Sequence, residues 1–356
     1  YRVNYDKENW KLITRYLKSE NYINIHVLNR AQIIDDAFHL MLAQQIEPLI
    51  FWDIVTYLEQ ETDYVAWYPM FKALEYMSSI FTLDNIDKNI FVKLQNILQS
   101  ILNKIRHTEL YYLAVEKHTK CLRQEAAKWS CLLGNNECLK EARNKLMLNF
   151  EHPKEYKILP WWKEWTYCYG LISIMDHYFD WTNMLFTWVK NSDHRISKFL
   201  TCIQNNDIIK AHLKDLRNMI MNSNSENHIL RLALINDFLT MIAKHVKKDD
   251  IRNYMLNNYK EIIPGQMNTV ATLTVIINHL YDDLHLTMLE NFVLHDMNKE
   301  KIDLKRKKVH FAHSSKVWSD IHMEYEANTL KIQEKIKIRR IQIKKQHEFV
   351  QAFLQL

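Results

Sequence analysis

A helical His-Glu-x-x-His pattern is the arrangement that would give this chain hydrolytic chemistry. Two histidines four residues apart bind zinc from one helix face, and the glutamate beside the first acts as general base. The nearest sequence is His347-Glu348-Phe349-Val350-Gln351, in which glutamine stands where the second histidine is required. We therefore expect no catalytic residue and no metal ligand of this kind in the chain.

Other closely spaced histidines do not replace that pattern. His279 and His285 have no carboxylate at a spacing that would complete a metal site, and the same is true of His310 and His313. We interpret all four as helix-surface histidines. The sequence thus predicts no cofactor within this chain.

Cysteines are the second group of reactive residues, and two of them are close in sequence. Cys131 and Cys138 flank a turn with the sequence Gly134-Asn135-Asn136. This turn is short enough to bring the two Cα atoms within reach of a disulfide. The alternative is that they are buried free thiols, the ordinary state in a reducing compartment.

The remaining three cysteines are further apart. Cys168 and Cys202 could tie neighbouring helices, whereas Cys121 is left over and is interpreted as an unpaired packing residue. Disulfides at two pairs would indicate an oxidising compartment.

Charges and apolar residues are combined between Asn29 and Phe38. The apolar residues recur at helical spacing and are Ile34, Ala37, Phe38 and Met41. Arg30, Asp35 and Asp36 lie among and beside this stripe. They either support a contact with another domain or form a salt-bridge cluster inside the helical fold, and the sequence does not decide between these two.

Three tryptophans lie within five residues at Trp161, Trp162 and Trp165. Such a group could line a peptide cleft. Packing in the core and the adjacent turn is the preferred interpretation, because large aromatic side chains usually serve to bury area.

Composition favours helices throughout the chain. Hydrophobic residues make up 47% of the 356 residues, and there are only 3 glycines and 5 prolines. Sheet-rich folds need turn residues far more often, so we predict an all-α fold. No apolar run approaches the length of about 20 residues that a transmembrane helix needs.

The two ends of the chain differ from its middle. Residues 1–6 alternate like a strand, and Asp6 is a plausible N-cap for the first helix. Residues 299–356 carry 14 Lys and Arg against 7 Asp and Glu, whereas residues 1–298 have a net charge of −2. Nucleic-acid or membrane-surface binding by this basic end is conceivable.

A closing helix packed on two sides is the preferred interpretation of the basic end. Ile336, Ile343 and Val350 form one apolar stripe, and Ile338 and Ile341 indicate a second apolar face. The lysine heads would then be solvated, and we expect no nucleic-acid partner.

Short amphipathic helices joined by polar turns are expected between these ends. Several polar residues mark the predicted breaks, namely Asp53, Asp84, Asn135, Asp180, Asp193, Asn206 and Asn224. Paired helices of similar length favour a HEAT-like α-solenoid, a superhelical bowl of antiparallel helix pairs.

Several motifs in register resemble the C-terminal helical domain of the aminopeptidase N family of zinc metallopeptidases. They are the Tyr1–Asp6 segment, Asn9-Trp10, the Asn29–Phe38 helix, the Tyr57–Trp67 segment, the Cys131–Cys138 region with Arg123 and Ala142, the Pro160–Gly170 region, and the closing helix with Glu348 and Phe353. The resemblance is loosest over residues 297–335. The GAMEN-type strand of that family, which holds the amino terminus of a substrate, is absent from this chain.

The resemblance implies a division of the polypeptide and a location. Residues 1–6 would be the last strand of a preceding β-sandwich, and residues 7–356 the helical domain, with divergent basic helices over residues 297–356. Cysteines at these positions form two disulfides in secreted or membrane-bound members, which implies Cys131–Cys138 and Cys168–Cys202 and an extracellular or membrane-attached ectodomain. The sequence contains no Asn-x-Ser/Thr site, so glycosylation gives no support to that location.

Two functions are consistent with these observations. By the resemblance, the chain is a non-catalytic domain that caps the cleft of an upstream zinc-dependent catalytic domain and accommodates its peptide substrate. Alternatively, it is a stand-alone α-solenoid that binds peptides or proteins. An upstream His-Glu-x-x-His helix in the same reading frame would distinguish the first from the second.

Overall fold

A computed structural model describes residues 2–80, 88–105, 117–172, 199–223, 228–295 and 315–354. Helices and short connections account for all of these residues, and no strand occurs among them. The predicted all-α class is confirmed. The HEAT-like solenoid stays a prediction.

The chain divides into two compact units, of which the first comprises Tyr1–Ile174 and Gln346–Leu356. A 3-10 turn at Glu20–Asn24 follows its first helix, and further 3-10 turns lie at Thr56–Glu59 and Pro160–Trp162. Buried aromatic side chains form much of its core, notably Trp10, Phe51, Trp67 and Trp129. Its helices are α1 (Lys7–Lys18), α2 (Val27–Leu42), α3 (Pro48–Val55), α4 (Tyr64–Ile80), α5 (Lys88–Ile105), α6 (Lys117–Leu132), α7 (Asn136–Glu151) and α8 (Lys163–Ile172).

The second unit is Met175–Lys345. Among its described residues the helices are α9 (Asn206–Asn222), α10 (His228–His245), α11 (Asp249–Asn257), α12 (Tyr259–Ile262), α13 (Thr269–His279), α14 (283–295) and the part of α15 (Ser315–Leu354) up to Lys345. Helix α10 packs against both α9 and α13. Phe238, Met241 and Ile276 are fully buried between them.

Polar caps fix several helix starts because a side-chain oxygen satisfies an amide that the helix leaves free. The Asp6 carboxylate accepts from the Asn9 amide at 2.9 Å, as predicted, and Asn135 accepts from Cys138 at 3.0 Å. The break predicted at Asn206 coincides with the first residue of α9, and the preceding Asn205 caps this helix. Asp53 lies inside α3, so the break predicted there is wrong.

The other predicted breaks, at Asp84, Asp180, Asp193 and Asn224, lie outside the described residues. Residues 2–6 belong to no helix or strand. A strand needs a neighbouring strand to pair with, and none occurs in the described part of the chain. The assignment of residues 1–6 to a preceding β-sandwich stays a prediction.

Two glycines have positions that other residues would not tolerate. Gly134 lies two residues after the end of α6 with φ at +74°, and its amide donates to the Cys131 carbonyl at 2.9 Å. A left-handed residue after a helix reverses the chain, which starts α7 beside α6. At Gly170, a Cβ atom would lie 2.9 Å from the Ala142 carbonyl oxygen, so the missing side chain lets α8 approach α7 closely.

Candidate functional site

The buried ion pair between Arg30 and Glu61 connects α2 to the segment that precedes α4. Its Nε–Oε2 distance is 2.7 Å, and the side chains are 8% and 2% exposed. Arg30 also donates through Nη1 to the Ile25 carbonyl, and its guanidinium lies 5.2 Å from the centre of the Tyr22 ring. The charge is thus both paired and hydrogen-bonded, as a buried charge must be.

The Glu61 carboxylate also organises the start of α4. Its Oε1 atom accepts from the Thr62 and Asp63 amides, each at 3.0 Å, while the Trp67 indole donates to the Glu61 carbonyl. Burial raises the pKa of Tyr57, and the nearby Glu61 carboxylate raises it further. Loss of Glu61 would therefore affect backbone and side-chain groups together.

Asp35 and Asp36 lie one turn further along α2 and bind the N-terminal segment. Arg2 Nη1 is 2.5 Å from Asp35 Oδ2 and 3.3 Å from Asp36 Oδ1, and the hydrogen bond to Asp35 raises the pKa of Arg2. The Val3 amide donates to Asp36 Oδ2 at 3.2 Å. Gln32 donates to the same carboxylate at 2.7 Å.

A second set of contacts attaches this segment to α1. The buried Trp10 indole donates to Asn4 Oδ1 at 3.1 Å, and the Tyr5 ring packs edge-on against Trp10 at 5.0 Å. We call Arg2, Val3 and Asn4, together with their partners Asp35, Asp36 and Trp10, the N-terminal joint.

The structure thus separates the three charged residues that the sequence grouped. Arg30 pairs with Glu61 while Asp35 and Asp36 bind Arg2, so the three residues do not form one salt-bridge cluster. Their contact with another domain stays a prediction. Arg30 lies in the first turn of α2 and reaches Glu61 before α4. Asp35 and Asp36 lie further along α2 and bind Arg2 of the N-terminal segment. Glu61 was missed as a partner because it lies 31 residues away along the chain.

The cysteines form the second feature of interest. Cys131 and Cys138 are joined by a disulfide with a Cα–Cα distance of 5.2 Å. The Trp165 indole N–H points at both sulfurs, at 3.2 Å from Cys131 and 3.4 Å from Cys138. This bond agrees with the prediction from the turn.

The oxidation states of the other three cysteines are those predicted from the sequence. Cys168 and Cys202 are disulfide-bonded, whereas Cys121 is a free thiol. The link from Cys168 to Cys202 stays a prediction.

The tryptophans at 161–165 are mainly packing residues. Trp162 and Trp165 are each 3% exposed and lie 4.9 Å apart, and the Lys145 ammonium is close to both rings. Trp161 is half-buried, with Lys120 at 4.8 Å from its ring. The burial and mutual contact of Trp162 and Trp165 agree with the preferred interpretation as packing residues.

Histidines that sequence reasoning missed occupy the core of the second unit. His212 on α9 and His245 on α10 are almost fully buried, and His245 Nε2 lies 2.8 Å from the Thr201 carbonyl oxygen. Burial lowers the pKa of each to about 4. Their place on apolar helix faces was the available signal.

His285 differs from the expected helix-surface residue. Its side chain is only 14% exposed, and Nε2 lies 3.6 Å from Asp249 Oδ1. Burial lowers the pKa of His285. His279 is half-buried, and its Nδ1 bonds the Val275 carbonyl, while His310 and His313 lie outside the described residues.

Neither a metal site nor a membrane span is found where the structure can be described. Within those ranges, histidine, cysteine and carboxylate side chains form no cluster of three or more that could hold a metal ion. The helices in the same ranges include none that is both long and apolar enough to cross a bilayer.

Comparison with known proteins places these features in a family. Residues 1–307 match the family described as ERAP1-like C-terminal domain. Aminopeptidase N of Plutella xylostella is 32% identical over 48% of this chain and 18% of its own length. Aminopeptidase Q of Acinonyx jubatus is 24% identical over 82% of this chain and 29% of its own length.

A third relative is membrane alanyl aminopeptidase of Manduca sexta, 25% identical over 64% of this chain and 22% of its own length. The chain thus spans less than a third of the length of each of these relatives.

Proposed function

Because the chain belongs to the ERAP1-like C-terminal domain family, we propose that it caps the catalytic cleft of an aminopeptidase N-like zinc metallopeptidase and accommodates the body of the peptide substrate. The relatives it matches are aminopeptidases, and the chain corresponds to only part of each. Closure of such a cap excludes water and completes a site, and its opening releases product.

Peptide hydrolysis itself belongs, in this proposal, to an upstream catalytic domain of the same polypeptide. The zinc-binding His-Glu-x-x-His pattern is missing from this sequence, so the residues here do not fit a catalytic zinc. Zinc bound in the catalytic domain would supply the activated water. This chain would cap the cleft, accommodate the body of the peptide, and open and close over the catalytic site.

The N-terminal joint is the observation that supports this role. Arg2 and Val3 are bound by α2, and Asn4 by the buried Trp10 of α1, so the first residues are fixed to the helical core. A segment held in this way transmits a displacement to the helices more directly than a flexible linker would. The cap would then move as one body with its point of attachment.

An extracellular or membrane-attached location is part of the proposal. The buried Cys131–Cys138 disulfide supports an oxidising compartment. One relative is named as a membrane alanyl aminopeptidase.

The test compares the natural polypeptide that contains this chain with the isolated chain. We expect the natural polypeptide to hydrolyse a leucyl anilide and longer peptides, and the isolated chain to hydrolyse neither and to bind no stoichiometric zinc. Arg2→Ala in the natural polypeptide should lower kcat several-fold for peptides, whereas Lys7→Ala, which breaks the exposed pair with Glu47, should not.

Two results would contradict the proposal. Hydrolysis by the isolated chain would place the chemistry in these residues. A natural polypeptide that starts near Tyr1 and binds peptides without hydrolysing them would instead support the stand-alone scaffold.

A further inference from the structure

Helix α15 has one buried face and one exposed face within the second unit. Its buried residues are Ile332, Ile336, Arg339 and Ile343. The exposed side carries three large apolar residues, Leu330, Ile338 and Ile341, which are 65%, 45% and 52% exposed. The second apolar face expected from Ile338 and Ile341 therefore exists, but the expected packing against it is wrong.

Helical geometry places the three exposed apolar residues in one stripe. At about 100° per residue, Ile341 lies about 20° from Leu330 around the helix axis, and Ile338 lies about 80° from it. The buried residues occupy the opposite side. The three apolar residues therefore lie on one face of the helix, which the charged side chains of Glu334 and Lys345 share at about 40° and 60° from Leu330.

Lysines border this stripe on both sides. Lys337 and Lys344 follow one edge, and Lys331 and Lys335 follow the other, with Lys345 between them. All five are exposed, and none forms an ion pair with another residue that the structure describes.

One carboxylate, Glu334, shares this face, so five cations face solvent with one anion. The neighbouring arginines are already bound. Arg339 donates to the Leu280 carbonyl at 2.9 Å, and Arg340 pairs with Asp283 and Glu290 on α14. These contacts hold α15 against α13 and α14 with the lysines turned outward.

We propose that this face of α15, which we call the basic face (Leu330 to Lys345), docks on an anionic lipid surface. An apolar stripe between two rows of lysines matches a bilayer interface, where the stripe enters the acyl boundary and the ammonium groups reach the headgroups. Each lysine near an anionic surface raises the binding constant by about fivefold. The basic face lies beyond residues 1–307, which match the family.

An anionic lipid surface fits the basic face better than a nucleic acid does. Nucleic-acid backbones gain affinity from cations alone, and exposed isoleucines add nothing to such contacts. The docking is also independent of peptide hydrolysis, since no residue of the N-terminal joint takes part.

Co-sedimentation with vesicles tests the proposal on the full chain. We expect binding to phosphatidylcholine vesicles that contain roughly 30% phosphatidylserine, weaker binding at about 0.5 M salt than at about 0.1 M, and no binding to pure phosphatidylcholine. Circular dichroism and thermal melts of every variant establish that it remains folded.

Two sets of substitutions separate charge from apolar contact. Lys331, Lys335, Lys337 and Lys344 changed together to Gln should weaken binding about a hundredfold or more. Ile338→Ser with Ile341→Ser should weaken it about tenfold. Matched controls are Gln at the exposed Lys18, Lys93, Lys140 and Lys154, and Ile229→Ser with Leu232→Ser on α10, both of which should bind like the parent.

Three results would overturn the proposal. The first is equal sedimentation with neutral and anionic vesicles. The second is vesicle binding that is insensitive to the serine pair but is abolished by the lysine set and by heparin, which would indicate a general polyanion site. The third is a doubled mass in light scattering that the serine pair abolishes, which would assign the face to a second copy of the chain.

Discussion

Arg30 and Glu61 form a buried ion pair 2.7 Å long between α2 and the turn before α4. Arg30 belongs to α2, and the next turn of the same helix binds the N-terminal segment through Asp35 and Asp36. The stability of the fold and the attachment of that segment therefore depend on different charges of the same helix.

Arg30→Ala should strongly destabilise the isolated chain. Removal of one member leaves Glu61 charged and buried without its partner, which costs about 3–5 kcal/mol. Thermal or urea unfolding of the 356-residue chain measures this. Arg2→Ala is the control, because its pairs are about one-third exposed on the arginine side and should cost about 1 kcal/mol or less. Equal melting temperatures for Arg30→Ala and the parent would show that Arg30 serves an interface.

Gly170→Ala should destabilise the first unit by about 1–3 kcal/mol. The added Cβ would meet the Ala142 carbonyl oxygen and Leu146 Cδ2, each at 2.9 Å, and the overpacking outweighs the gain of about 0.5–1 kcal/mol from replacing a helical glycine. Urea unfolding checks the change. Gly265→Ala is the matched control, because nothing lies within 4 Å of its Cβ position, and it should be neutral or slightly stabilising.

Replacing both Cys131 and Cys138 by alanine should lower the stability by about 2–3 kcal/mol, because the short loop between them loses its crosslink in the unfolded state. Non-reducing peptide mapping of native protein should show the Cys131–Cys138 link and a labelled Cys121. It should also show the predicted Cys168–Cys202 link. Labelling of all five cysteines without reductant would contradict this prediction and the oxidising compartment with it.

Stability should fall with acidification because of His212 and His245. Their pKa values are about 4 in the folded chain, against about 6.5 in an unfolded one. The unfolded state therefore takes up protons first, so stability is unaffected above about pH 7, declines between about pH 6.5 and pH 4, and levels off below that range. Each histidine contributes roughly 3 kcal/mol to this loss at most.

His212→Gln should flatten that decline in part, since one of the histidines with a lowered pKa is removed. Urea unfolding as a function of pH measures the slope. His228→Gln, at an exposed position on α10, should leave it unchanged. A parent chain whose stability is constant from pH 7 to pH 4.5 would contradict the assigned burial of both histidines.

Sequence reasoning succeeded where local rules decide the structure. The all-α class follows from the scarcity of turn residues, and Asp6 and Asn135 cap helices because their side chains satisfy free amides. The short turn at Gly134-Asn135-Asn136 allowed the Cys131–Cys138 disulfide, and the family resemblance implied it.

Sequence reasoning failed where a contact is formed by residues that are far apart along the chain. The partner of Arg30 lies 31 residues away, and the partner of Asp35 lies 33 residues back, so helical periodicity could not identify either. Ile338 and Ile341 have the pattern of a packed face but are exposed, because periodicity defines a face without showing what covers it. The family motifs located the N-terminal joint only as a region.

The position of the Trp165 indole against the Cys131–Cys138 disulfide makes this residue an optical reporter. A disulfide accepts an electron from an excited indole that contacts it. The fluorescence of Trp165 should therefore be almost completely quenched while the Cys131–Cys138 bond is intact. Reduction of the bond would restore its emission. The chain thus carries an intrinsic fluorescent signal of its own oxidation state, which can be followed in real time without any label.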